Sequence, residues 1–130
     1  MNKWTGRLLM ATAVGHALVG LMLFHESITA IVDDGFVNAI QPPLYAAEPR
    51  FDRIAVFWFL LFSPLLFLLG QLTDWAIERG DAHSLKLVGS YLMGIGVFGS
   101  IVLPISGNWT LIVLAVLVLR AASAARKSAA

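Results

Sequence analysis

The chain has no cysteine and very little charge. Without cysteine, its 130 residues cannot form a disulfide, a thiolate nucleophile or a Cys-ligated zinc or iron–sulfur site. Charged residues make up 13% of the chain, whereas water-soluble domains usually contain about a quarter. Nine basic residues nearly balance eight acidic ones, so no strong positive field favours nucleic acid as a partner.

Charge is missing altogether from four long stretches of the sequence, at 8–25, 54–73, 87–103 and 105–119. A helix of about 20 apolar residues crosses the hydrocarbon core of a bilayer, and backbone amides in lipid must be hydrogen-bonded within their own segment. We therefore expect an all-α fold, a polytopic membrane four-helix bundle that forms a single membrane domain over residues 1–130. The predicted spans are about 4–24, 53–74, 86–104 and 109–122.

The basic residues predict which way the chain is threaded. An even number of spans places both termini on one side, and only Arg50 and Arg53 fall on the other side. Because cytoplasmic loops carry an excess of Lys and Arg, both termini are predicted to be cytoplasmic. Seven basic residues share the side of the termini: Lys3, Arg7, Arg79, Lys86, Arg120, Arg126 and Lys127.

The longest connection, residues 26–52, contains a helical pattern of its own. Ser27 is a candidate N-cap, Gly35 weakens the helix, and Pro42-Pro43 should end it. The pattern predicts an amphipathic helix lying on the outer membrane surface. The apolar positions that carry it are Ile28, Ile31, Val32, Phe36, Ala39 and Ile40. The turn at 104–108 should make the third and fourth spans antiparallel neighbours, with Ser106 or Asn108 as a cap, and the tail at 121–130 is expected to fray.

His16 is the candidate for a functional residue because it lies near the middle of the first span, where titratable groups are rare. It shares a helix face with Thr12 and Gly20. Two interpretations stay open: a ligand-binding or proton-handling histidine, and a neutral histidine that hydrogen-bonds a carbonyl or a serine of another helix. The candidate ligand-binding residues are Thr12, His16, Asp34, Phe36 and Trp58.

No cofactor or metal is predicted. Haem held by two histidines would need ligands on facing helices, and only His16 lies at membrane depth. The acidic residues between 26 and 52 match no metal-binding spacing, and no catalytic residue can be assigned.

Small residues on the first and third spans predict close helix contacts. These contacts fit either packing within the bundle or a homodimer interface. The residues concerned are Gly15, Gly20, Gly94, Gly96 and Ser100.

Several short motifs of the chain resemble motifs of a known family. They are Trp4-Thr5-Gly6-Arg7-Leu8-Leu9, the central His16, Asp34-Gly35-Phe36-Val37-Asn38-Ala39, Phe57-Trp58-Phe59 and Pro104-Ile105-Ser106-Gly107-Asn108-Trp109. Together they make the chain similar to a family of small bacterial four-helix integral membrane proteins of unknown function. More distantly, the layout resembles that of DoxX-like proteins. The resemblance implies a multi-pass protein of the bacterial inner membrane and carries no activity with it.

Three functional hypotheses follow. The first is a non-enzymatic membrane protein that binds an apolar small molecule or lipid, or serves as an accessory subunit. The second is a membrane enzyme acting on a lipid-soluble substrate, with His16 and an outer carboxylate as acid and base. The third is a small homo-oligomeric transporter. The expected partners are the lipid bilayer, an apolar ligand, and a second copy or another membrane protein, and nucleic acid is not among them.

Overall fold

A computed structural model describes residues 4–40 and 48–129 of the chain. The described residues form five helices and no strand, which confirms the all-α class. The helices are α1 (Thr5–Leu23), α2 (His25–Asp33), α3 (Phe51–Arg79), α4 (Ala82–Val102) and α5 (Trp109–Ala129). Four of them, all except α2, are long and apolar enough to cross a membrane. Lys3 and the predicted helix stop at Pro42-Pro43 lie outside the described residues.

The chain divides into two compact units, which are described separately. The terminal unit comprises Met1–Ala11 and Phe67–Ala130, and the internal unit comprises Thr12–Leu66. The boundaries between the units fall inside α1 and α3, so each of these helices has one part in the terminal unit and the other part in the internal unit.

Helices α4 and α5 form an antiparallel pair in the terminal unit, as the short turn between them predicts. Glycines of α4 allow the close approach: a Cβ atom added to Gly89 would lie 2.7 Å from Leu119, and one added to Gly96 would lie 2.9 Å from Ile112. At the turn, Ser106 Oγ donates to the carbonyl of Leu103 and accepts from the backbone N–H of Asn108. The side chain of Asn108 donates to Ser106 rather than capping α5.

A second close contact joins α1 to α3 within the terminal unit. A Cβ atom added to Gly6 would lie 2.5 Å from the carbonyl oxygen of Gly70, and one added to Gly70 would lie 2.8 Å from the carbonyl oxygen of Gly6. Both partners are backbone atoms, which cannot turn aside as a flexible side chain can. Neither glycine belongs to the small-residue series that the sequence suggested.

Helix α3 continues five residues beyond the predicted span, to Arg79. It ends where Gly80 adopts φ +66° and the backbone N–H groups of Gly80 and Asp81 donate to the carbonyls of Ile77 and Ala76. This double hydrogen bond is the Schellman arrangement, which favours glycine. The Asp81 carboxylate then accepts from the backbone of His83 and Ser84 and so caps α4. The polar turn between the helices is therefore only two residues long.

The expectation of a frayed tail at 121–130 is wrong for its described part, because α5 is helical to Ala129. Its buried face repeats every three or four residues and continues past the charge-free run. Small alanines maintain this packing where the sequence becomes polar, and alanine has the highest helix propensity. The buried residues are Leu111, Leu114, Ala115, Val118, Ala121, Ala122 and Ala125.

The predicted helix of the 26–52 segment is shorter than expected, because α2 ends at Asp33. Gly35, Phe36 and Asn38 all have positive φ, which stops a right-handed helix. The proposed Ser27 cap is also wrong: α2 follows α1 after the single residue Phe24, without a side-chain cap. Ser27 lies inside α2, and its hydroxyl donates to Asp52 at 3.2 Å.

Candidate functional site

The imidazole of His16 pairs with a serine on another helix. Its Nδ1 lies 3.0 Å from Ser63 Oγ, between α1 and α3. Ser63 is buried and precedes Pro64, which lies inside α3. The hydrogen bond satisfies two polar groups that would be costly to leave unpaired in an apolar surrounding.

Aromatic rings surround this pair in the internal unit. The His16 ring stacks on Phe59 with centroids 4.0 Å apart, and Phe62 meets it edge-on at 5.4 Å. Phe59 has room for this position because Gly20 lacks a side chain; a Cβ atom there would lie 2.8 Å from the Phe59 ring. Gly20 thus helps to place the ring against which the histidine lies.

Arg53 is the second polar residue that the internal unit buries. The whole residue is 2% exposed. Its Nη1 donates to the Asp34 carboxylate at 2.8 Å and to the backbone carbonyl of Ala39, while Arg50 Nη1 reaches the same Asp34 oxygen at 3.2 Å. Arg53 Nε is buried without a hydrogen-bond partner. One guanidinium therefore ties α3 to two points of the loop that follows α2.

The charge of Arg53 changes the acidity of Asp34. The hydrogen bond and charge of Arg53, reinforced by Arg50, hold the pKa of the Asp34 carboxyl below its usual value. Asp34 is itself half-exposed, with 52% of its side chain accessible. The carboxylate is consequently ionised across the neutral range.

The internal unit contains an apolar groove of about 230 Å³. One side is formed by α2 and the loop that follows it, and the other side by the first part of α3. Among residues 4–40 and 48–129, no polar side chain lines the groove. At its base Ile31, Ala39 and Val56 form a buried cluster. The lining residues are Ile28, Ile31, Val32, Phe36, Ile40, Val56, Phe57, Leu60 and Leu61.

The structure does not assemble the five predicted ligand-binding residues into one site. Thr12 lies one helical turn before His16 on α1. Asp34 belongs to the ion pair, and Phe36 lines the apolar groove. Trp58 is 63% exposed and does not line the groove itself, but its ring contacts edge-on the ring of Phe57, which does.

Arg53, Ser63 and Phe59 are not among the residues that the sequence predicted for the site, although a serine of another helix was one of the two predicted partners of a neutral His16. Arg53 offered one signal, because it is one of only two basic residues in the stretch between the first two charge-free runs. Its burial could not be read from that position. Ser63 offered another, as the only Ser or Thr between Ile54 and Leu72.

The small residues predicted to lie at helix contacts fall into two groups, those packed against another helix and those on open faces. Gly20 and Gly96 lie at close contacts between helices, whereas a Cβ atom added to Gly15 or Gly94 would meet nothing within 4 Å. Ser100 is half-buried, and its Oγ has no hydrogen-bond partner.

Four of the helices in the described residues are long and apolar enough to span a membrane. This all-α chain therefore belongs to the class of multi-pass membrane proteins. The chain belongs to DUF6463, a family of unknown function, whose sequence profile matches residues 1–125. No curated protein and no solved structure matches the chain.

Proposed function

We propose that this protein is a non-enzymatic lipid-binding protein, which holds an acyl chain of a bilayer lipid in the groove between α2 and α3. The groove itself supports the proposal, because its nine lining residues are all apolar. Engineered apolar cavities of about 150 Å³ take up benzene. A groove of about 230 Å³ is therefore large enough for a segment of an acyl chain or a similarly narrow apolar molecule.

The loop that carries one wall of the groove is held in a costly conformation. Phe36 has φ +66°, a conformation that a bulky side chain rarely adopts. Arg53 stabilises this loop on both sides of Phe36, at Asp34 and at the Ala39 carbonyl. The buried arginine thus keeps the phenylalanine at the groove, which is a role in ligand binding that needs no catalysis.

The enzymatic alternative requires His16 to act together with an outer carboxylate. His16 pairs with Ser63, and eleven positions of α3 separate Ser63 from Asp52. At 1.5 Å per residue this is a rise of about 16 Å along the helix. Acid and base groups act within about 3 Å of the reacting proton, or through one water, so the distance counts against this alternative.

The transporter alternative needs a polar path through the membrane, and the groove offers none. We further propose that the protein resides in a bacterial inner membrane with both termini cytoplasmic, in a layout similar to that of DoxX-like proteins. The distribution of basic residues supports this orientation. An accessory role beside another membrane protein stays a prediction.

Photo-crosslinking in bilayers tests the binding proposal. A phospholipid with a diazirine on its acyl chain should label the groove residues of α2 and α3 more strongly than the other lipid-exposed helix faces. Val32→Trp should fill the groove and reduce this labelling several-fold. Val37→Trp is the matched control, because Val37 is also a valine, lies in the loop that directly follows α2, is 79% exposed and does not line the groove.

Two results would contradict the proposal. One is even labelling along all four long helices, which would show only the general contact of a membrane protein with lipid. The other is an equal loss of labelling in the two tryptophan variants.

A further inference from the structure

One face of α5, over residues 116–127 in the terminal unit, carries a second groove, which is shallow and open and has a volume of about 420 Å³. Its lining changes character along the helix. Val116 and Leu119, inside the charge-free run, form its apolar end. Beyond them, the cations Arg120 and Lys127 lie on either side of the small residues Ser123 and Ala124 along the helix. The six lining residues are Val116, Leu119, Arg120, Ser123, Ala124 and Lys127.

The two cations have no ion-pair partner among the described residues, whose ion pairs involve only Arg50 and Arg53. The Ser123 hydroxyl donates to the carbonyl of Leu119, so the positive side chains are the free donors of the groove. A basic residue at the end of a helix is often explained by the helix dipole, which acts only within the last turn. Arg120 lies nine residues before Ala129, so the dipole does not account for it.

The pairing of α4 with α5 places the cations at the edge of the hydrocarbon layer. Gly89 lies against Leu119, and the charge-free runs of the two helices begin at Leu87 and end at Leu119. Both helices therefore leave the apolar zone at the same level. From Arg120 to Lys127 the helix rises about 10 Å, slightly more than the 5 to 8 Å that the headgroup region adds on each side of a bilayer.

We propose that this groove binds an anionic phospholipid. The phosphate lies over Ser123 and Ala124 between Arg120 and Lys127, and an acyl chain follows Val116 and Leu119 into the bilayer. Arginine matches the geometry of a phosphate with paired hydrogen bonds. The site does not depend on the acyl-chain groove of the internal unit, with which it shares no residue.

Native mass spectrometry of the full-length protein in detergent tests the proposal by titration with phosphatidylglycerol. Phosphatidylcholine with the same acyl chains provides the neutral comparison, and inorganic phosphate provides the headgroup chemistry without a lipid. The groove variant is Arg120→Gln with Lys127→Gln. The control variant, Lys86→Gln with Arg126→Gln, also loses one lysine and one arginine charge, but both lie outside the groove.

We expect wild type to prefer phosphatidylglycerol over phosphatidylcholine. The groove variant should bind phosphatidylglycerol on the order of tenfold more weakly than the control variant, as the loss of a charge-assisted hydrogen bond implies. Ala124→Leu fills the floor of the groove without changing the charge, and should also weaken binding. Since Ala124 is exposed, this variant keeps the test available if the double substitution prevents folding.

Equal weakening in the groove and control variants would overturn the proposal, because it would show only general attraction to a positive surface. Equal binding of the two lipids would overturn it as well. Displacement of phosphatidylglycerol by millimolar inorganic phosphate would show a phosphate site rather than a lipid site.

Discussion

The terminal and internal units both pack apolar helices closely at glycines, which include Gly20 in the internal unit, but the internal unit adds buried polar pairs to these contacts. In the terminal unit, helices touch where glycine removes a side chain, at Gly6 with Gly70 and at Gly89 and Gly96 against α5. In the internal unit, helices and loop are joined by polar pairs, His16 with Ser63 and Arg53 with Asp34. Backbone contact tolerates no added atom, whereas a polar pair tolerates a change of shape but not the loss of one partner.

The largest effect is expected where two backbones meet. Gly70→Leu should destabilise the protein by roughly 3 kcal/mol, because overpacking a close contact costs about 1 to 3 kcal/mol and here the neighbours are backbone atoms. Gly94→Leu, on an open face of α4, should be neutral or slightly stabilising because leucine favours the helix more than glycine. Reversible unfolding in mixed detergent micelles measures both. Equal stabilities would show that α1 and α3 do not cross at this glycine.

The buried arginine should give the next largest effect. Arg53→Met keeps the length of the side chain but removes the donors to Asp34 and Ala39, and should cost about 2 kcal/mol, as for hydrogen bonds of a charged group. Arg50→Met should cost no more than about 0.5 kcal/mol, because an exposed ion pair contributes little. The same unfolding assay compares the two. Similar losses in both variants would contradict the buried role of Arg53.

The acidity of Asp34 provides a pH test of the same pair. Since its pKa is lowered in the folded protein, the stabilisation from its carboxylate is present above the ordinary pKa of aspartate, about 3.9. It is lost as the pH falls through the lowered value. The stability difference between wild type and Asp34→Asn should thus stay constant above about pH 5 and shrink in stronger acid. A difference that persists unchanged below the lowered pKa would rule out the ion pair as its source.

The smallest effect concerns the serines of the helices. Ser63→Ala removes the partner of His16 and should cost about 0.6 kcal/mol, the average for hydrogen bonds between membrane helices. Ser100→Ala removes a hydroxyl whose oxygen is buried without a partner, and should be neutral or stabilising. If Ser100→Ala lowered the free energy of unfolding more than Ser63→Ala, the hydrogen bond between His16 and Ser63 would not be the more important of the two contacts.

The sequence predicted the elements better than their contacts. The four apolar helices and the antiparallel pairing of α4 with α5 followed from charge-free runs and one short turn. The ends of the helices did not, since α3 and α5 both continue past the apolar residues. A helix ends where its hydrogen bonds are replaced, as at Gly80, and not where hydrophobicity ends.

Which polar and small residues matter was decided by tertiary structure alone. Gly94 and Gly96 are two positions apart, yet only Gly96 lies against another helix. Arg50 and Arg53 are similar in sequence setting, yet only Arg53 is buried.

The lack of charge thus determined the class of this protein, because transfer into lipid depends on each segment's own composition. Contacts depend on which faces of two helices meet and in what register, and that information is distributed over residues far apart in the chain. The His16–Ser63 pair, the buried Arg53 and the groove between α2 and α3 could be located only once those faces had been brought together.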